Sequence, residues 1–213
     1  MTDLVISSTL ETIYMVFFST VFSLILGLPI GVLLVITERG HIWERPLLNK
    51  VLDGIINIFR SFPFIILLIV ILPLSKLIVG TTIGSTAAIV PLSIAAAPFV
   101  ARVIQSSLLE VDKGIIESSL AMGAKPLQII IKVLLAEALP SIVLGITLTI
   151  INIIGYSAIA GAIGAGGLGD LAIRYGYYRW QKDVMLVAVI VIIILVQSVQ
   201  FIGDRLAVKI NKK

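Results

Sequence analysis

Glu117, Ser118 and Ser119, with Gly123 six positions after the acid, are the densest cluster of polar and turn-forming residues between the long apolar stretches of this chain. Their types suit binding more than catalysis. A carboxylate offers acceptor oxygens to a cation or an amide, the hydroxyls are small donors and acceptors, and glycine supplies the backbone freedom for a sharp turn. A second amphipathic stretch follows, ending in Leu135-Ala136-Glu137-Ala138-Leu139-Pro140, so the island reads as short helix, glycine turn, short helix. Two readings compete: a loop resting on lipid headgroups, and a docking element gripped by another protein.

Other groups capable of chemistry are sparse. There is no cysteine, hence no thiolate nucleophile, disulfide framework or Cys-based metal site, and His41 is the only histidine. One loop histidine does not supply the nucleophile and base that an intramembrane hydrolase needs. Gly164-Ala165-Gly166-Gly167-Leu168-Gly169 formally satisfies G-x-G-x-x-G, but that motif binds dinucleotides only between a strand and a helix of a βαβ unit. Here it follows an apolar span and reads as a flexible outer turn. No G-x-x-x-x-G-K-[ST] occurs, so the chain is not expected to cradle ATP phosphates or to bind a cofactor of its own.

The elements that must position the island are membrane helices. Of 213 residues, 59% are hydrophobic and 13% charged, with a mean hydropathy of +1.14, whereas soluble domains are about a quarter charged. A spanning helix takes about 20 apolar residues, and the chain offers such stretches at 12–36, 54–74, 82–101, 139–163 and 184–203. An all-α, single-domain integral membrane protein of five spans is expected, with the island in a loop over 108–138. No Lys or Arg precedes Arg39, so the first span lacks the basic flank of a signal peptide and is expected to stay, its N-terminus outside.

That orientation puts Arg39, Arg45, Lys50, Arg60, Arg102, Lys113, Lys125, Lys132, Arg205, Lys209, Lys212 and Lys213 inside. Only Lys76, Arg174, Arg179 and Lys182 stay outside, a strong positive-inside bias that makes the island and the C-terminus cytoplasmic. The net charge of +4 is accounted for in this way, without nucleic acid.

The spans hold no acid or base near a midplane; Arg60, Arg102 and Glu137 lie near span ends, where long side chains snorkel. Ion-coupled carriers usually need such buried groups. Small residues are plentiful instead: Gly27 and Gly31 as G-x-x-x-G, Ala95, Ala96, Ala97 and Ala101, and Gly155, Ala158, Ala160, Gly161 and Ala162. Each small face suits internal packing, a homodimer seam or a pore wall. Pro29, Pro63, Pro73, Pro91 and Pro98 permit kinks. Thr149, Asn152 and Tyr156, with Ser157 beside them, can share one face of the fourth span, either bonding neighbouring helices or lining a solute path. Tyr175, Tyr177, Tyr178 and Trp180 are expected as an interfacial aromatic belt, with docking of an external partner as the second reading.

The spacing from Glu117 to Gly123 to Leu135 resembles the "EAA" loop of binding-protein-dependent ABC importer permeases, roughly E-A-A, three residues, G, nine residues, I-x-L-P. Ser118 and Ser119 replace the two alanines, Val133 stands at the isoleucine and Ala136 replaces the proline, with Pro140 four residues on. Asn57-Ile58-Phe59-Arg60-Ser61-Phe62-Pro63-Phe64-Ile65-Ile66-Leu67, Ala87-Ala88-Ile89-Val90-Pro91-Leu92, Gly155-Tyr156-Ser157-Ala158 and the 164–169 run extend the resemblance over nearly the whole chain, to the methionine-importer permease (MetI) family.

The resemblance implies the type I ABC importer permease fold, in a bacterial cytoplasmic membrane. It implies a homodimer of this chain, two copies of a cytoplasmic P-loop ATPase that uses ATP and Mg, and an external substrate-binding protein. It places Glu117, Ser118, Ser119, Leu120, Ala121, Met122, Gly123, Ala124 and, at its end, Pro126 in a coupling helix seated on the ATPase. There Glu117 acts as an acidic contact or as a stabiliser of the helix N-terminus. Methionine, in either enantiomer or as a derivative, is inferred from the family alone. An ion-coupled secondary carrier and a non-transporting scaffold are the rival functions. Uptake that survives without ATP would mark the first, and no flux at all the second.

Overall fold

The computed structural model describes residues 2–211, and among these all regular structure is helical. Lys212 and Lys213, counted above on the inner face, lie outside the described residues. Four helices are long and apolar enough to cross a membrane: α1 (Thr2–Ile36), α4 (Ser85–Leu109), α8 (Leu139–Gly161) and α10 (Lys182–Ile210). The 35 residues of α1 make about 50 Å of helix at 1.5 Å per residue, well beyond a hydrocarbon core of about 30 Å. The helix begins ten residues before the expected span because Thr2 to Glu11 continue it without a breaker.

The expected second span, 54–74, is broken. It divides between α2 (Pro46–Ser61) and α3 (Phe64–Val79), whose axes meet at 106°. Pro63 causes the break: a proline disfavours helical backbone in the residue before it, and Phe62 is extended at φ −72°, ψ 131°. By contrast Pro29, Pro73, Pro91 and Pro98 sit inside helices that run on past them unbroken. α2 is strongly amphipathic. Leu47, Val51, Ile55 and Ile58 lie on its exposed apolar side, while Ile56 packs on Leu34 and Ala101.

The G-x-x-x-G of α1 is an internal seam. A Cβ on Gly27 would stand 2.6 Å from the Ala97 carbonyl oxygen, and one on Gly31 2.6 Å from that of Ala101. The small residues of α1 and α4 thus meet each other, which leaves neither face for a second copy. Gly145 closes α8 on Val103 of α4, and Gly203 closes α10 on Thr147 of α8. α10 is otherwise peripheral, with only 6% of its most apolar window buried.

Two main clusters fill the interior. One joins Val35, Ile104, Leu108, Ile129, Leu134 and Ile142 beneath the 108–138 loop. The other joins Met15, Leu68, Ala88, Leu92, Ala160 and Ala165 at the opposite end.

The glycine-rich run is not a flexible turn. Gly161 and Gly169 meet backbone to backbone: a Cβ on Gly169 would lie 2.2 Å from the Ala158 carbonyl oxygen. The Glu11 carboxylate accepts the Gly167 N–H at 2.7 Å, and Thr12 Oγ1 accepts the Leu168 N–H at 2.9 Å. A short helix α9 (Gly167–Asp170) then leads into a π-helical segment, Leu171–Tyr177. Glycine serves here because the backbone must approach two helices at once, which a side chain forbids.

Candidate functional site

The polar island is helical from an earlier point than its acid suggests. Helix α5 spans Lys113–Ala121, and Asp112 is its N-cap, accepting the Gly114 N–H at 2.7 Å. Glu117 therefore lies in the second turn and does not cap the N-terminus, a correction to one of its two expected roles; Asp112 was the signal, as an acid just before a helical run. Both serine hydroxyls donate to the Ile115 carbonyl, at 3.0 Å from Ser118 and 2.7 Å from Ser119, so neither has its hydrogen free for a partner.

Gly123 ends α5 in a Schellman motif. Its N–H donates to Leu120 O, the Ala124 N–H donates to Ser119 O at 3.1 Å, and its φ is +79°, the left-handed conformation that glycine adopts without strain. The chain then re-enters helix at α6 (Pro126–Ile129), with Pro126 at the start and Gln128 Oε1 accepting the Lys125 N–H at 2.9 Å. A π-helical turn, Ile130–Leu134, and α7 (Leu135–Glu137) lead to α8, where Pro140 occupies the first turn. Helix, glycine turn, helix is the observed order, and Ala136 neither starts nor bends the second part.

One side of this unit is anchored and the other is bare. Ile116 and Ser119 are buried, and Ala124 packs with Ile129 and Leu134 on the interior cluster. Glu117, Ser118, Ala121, Gly123 and Pro126 are exposed, as are Leu120, Met122 at 81% and Leu127 at 66%. An acid ringed by bare apolar side chains on a rigid turn is a surface built to be covered.

Sequence spacing gave no hint that the loop after α1 lies beside α5. Gly40, His41 and Ile42 enclose a hollow of about 190 Å³ with Lys113, Ile116, Glu117 and Leu120. Burial pushes the His41 pKa below 6.5, with Lys113 adding to that effect and Glu38 opposing it.

The four expected lining residues do not share one face. Thr149 and Ser157 are buried, and their hydroxyls donate to carbonyls of their own helix, Gly145 at 2.8 Å and Ile154 at 2.7 Å. Asn152 is exposed, on a strip with Leu148, Gly155 and Ile159. Tyr156 stacks on Phe64 of α3, ring centroids 4.1 Å apart. Tyr177, ending the π-helical segment, and Tyr178 and Trp180 just beyond it are exposed.

A polar cluster between α2 and α4 escaped the sequence reading. Arg102 donates through NH2 to Asp53 Oδ1 at 2.6 Å and Asn57 Oδ1 at 2.7 Å, and through NH1 to Gln105 at 2.7 Å. Asn57 Nδ2 donates to Asp53 Oδ2 at 3.0 Å. Arg102 therefore does not snorkel free. Only the i, i+4 spacing of Asp53 and Asn57 was visible in advance.

Comparison with known proteins agrees with this architecture. The family profile described as "Binding-protein-dependent transport system inner membrane component" matches residues 23–213. A probable D-methionine transport system permease of Vibrio cholerae is 50% identical over 211 residues, covering 99% of this chain and 94% of that one. A methionine import system permease of Bacillus subtilis is 46% identical over 207 residues, 97% and 93% of the two chains. A crystal structure of the MetNI methionine ABC transporter in an inward-facing conformation superposes with a TM-score of 0.98 at 48% identity, covering 100% of this chain and 98% of that one. An amino acid ABC transporter at 20% identity, TM-score 0.79, shares the fold.

Proposed function

The chain belongs to the binding-protein-dependent transport system inner membrane components, and from that premise we propose that it is the permease subunit of an ATP-driven methionine importer. It works as a homodimer with two copies of a separate cytoplasmic ATPase and an external substrate-binding protein. The observation that carries this reading is the bare turn of α5: an acid, Glu117, beside Leu120 and Met122, held rigid by the Gly123 motif over a buried anchor. The surface faces the side on which the basic residues concentrate, so the N-terminus is outside and the C-terminus inside.

The mechanism follows from the anchoring. Ile116 and Ala124 tie α5 and its turn to Ile104, Leu108, Leu134 and Ile142, so a push on the turn is delivered to α4 and α8 as a rigid movement of packed helices. ATP and Mg act on the partner chain, and ATPase closure drives the two permeases between inward-open and outward-open states. The chain itself performs no hydrolysis. Asn152, on an exposed strip, and Tyr156, partly exposed against Phe64, are the expected lining residues with surface left to meet a solute.

The test is co-purification of the tagged chain in mild detergent, followed by reconstitution with the partners it brings. A P-loop ATPase in near-equal amount, much reduced by Glu117→Ala together with Leu120→Ala, and ATP-dependent methionine uptake are expected. A chain that purifies alone with no ATPase activity, or uptake that persists without ATP, overturns the reading.

A further inference from the structure

The break between α2 and α3 puts non-helical backbone, Phe62 and Pro63, inside the apolar stretch 54–74. Non-helical backbone at membrane depth is tolerated only when buried in protein or lining a watered cavity. Here it is not buried: Ser61, Phe62 and Pro63 are all exposed. The elbow instead forms a shallow, open hollow lined by Asn57, Ile58, Ser61, Phe62, Pro63 and Ile66.

Asn57 belongs both to this hollow and to the Asp53–Arg102 pair, so an apolar recess and a paired cation and anion adjoin. The pair has capacity to spare. The Asp53 side chain is 41% exposed and that of Arg102 22%. A carboxylate accepts about four hydrogen bonds; Asp53 accepts two, while Arg102 gives three through its terminal nitrogens and its Nε is buried. A brace between α2 and α4 alone would need neither the exposed carboxylate nor the hollow beside it.

From this juxtaposition we infer that the α2–α3 elbow is a solute-binding site in the permease for a zwitterionic amino acid with an unbranched apolar side chain. Asp53 takes the α-ammonium group. Asn57, held by Arg102, takes the α-carboxylate. The side chain lies against Ile58, Phe62 and Ile66. Selectivity is thereby exercised twice, in the external binding protein and here. The inference rests on the importer reading and adds to it.

The experiment measures binding of radiolabelled L-methionine to the assembled permease–ATPase complex in lipid nanodiscs without the external binding protein. Competitors are the des-amino and des-carboxy analogues of methionine. Ile66→Trp, which fills the hollow and leaves the ion pair intact, and Asp53→Asn are each expected to weaken binding at least tenfold. Leu47→Trp, in the first turn of α2 and outside the hollow, is expected to leave it unchanged. Neither analogue should compete within tenfold of methionine. Binding that is equal in Ile66→Trp and the unmodified complex overturns the site, since methionine is then held elsewhere. A permease dimer that dissociates in Ile66→Trp, or tightly bound lipid in place of methionine, also overturns it by showing another occupant of the hollow. ATP-dependent uptake by the unmodified reconstituted importer is scored separately, so loss of the site and loss of the importer reading remain distinct results.

Discussion

Gly123 and Gly169 both sit in connections between the long helices, and the space around them is opposite. Nothing lies within 4 Å of where a Cβ on Gly123 would be, while a Cβ on Gly169 would fall inside the Ala158 backbone. Gly123 is glycine for conformation: its φ is +79° and its surroundings are solvent. Gly169 is glycine for proximity, where α9 crosses the end of α8. The Gly123 turn is finished as a shape and left bare; the Gly169 segment is already packed and partnered inside the chain. Open surface and closed packing at the two ends suit a permease driven from one side.

The sharpest break of that contrast is a side chain at each glycine. Gly169→Leu forces backbone apart and is expected to cost upward of about 4 kcal/mol, read as loss of folded protein from the membrane fraction. Gly123→Pro changes a position with free space but an incompatible φ, and Met122 before it has ψ near 0°, which a following proline disfavours. It is expected to abolish uptake while the protein remains in the membrane at near-normal abundance, measured by immunoblot beside transport. Gly123→Ala should lose only the roughly 1–2 kcal/mol of the left-handed conformation. Normal uptake by Gly123→Pro, or normal folding of Gly169→Leu, would erase the distinction.

Smaller effects sharpen it. Glu11→Ala removes the acceptor of the Gly167 N–H and should lower stability by about 1–3 kcal/mol, the cost of a buried donor left unpaired; a thermal-unfolding midpoint in detergent equal to the parent's would show that the glycine-rich run is held by packing alone.

The smallest concerns His41 beside α5. Its pKa is lowered in the folded state, so below the ordinary value of about 6.5 the unfolded chain binds the proton first. The stabilisation is full above that pH and declines as the pH falls towards the lowered value. His41→Gln should flatten that part of the stability profile without changing it at pH 8.

The membrane class, the apolar stretches and the helix–turn–helix of the island were legible because hydropathy, glycine and proline act locally. Pro63 announced a kink but not its 106°, which depends on how α2 and α3 each pack on α4. Asp112 was a legible cap passed over for Glu117. The stripe of Thr149, Asn152 and Tyr156 followed helical spacing, yet each met a different environment.

What the sequence alone determined is therefore the set of helices, their order and the turn at Gly123, each specified by residues within a few positions of one another. Only the tertiary structure decided that Gly27 and Gly31 close on Ala97 and Ala101, that Glu11 holds Gly167 across 156 residues, and that Arg102 meets Asp53 across 49. In a membrane, lipid and protein interior are equally apolar, so hydropathy marks a span without telling which face meets another helix and which meets lipid.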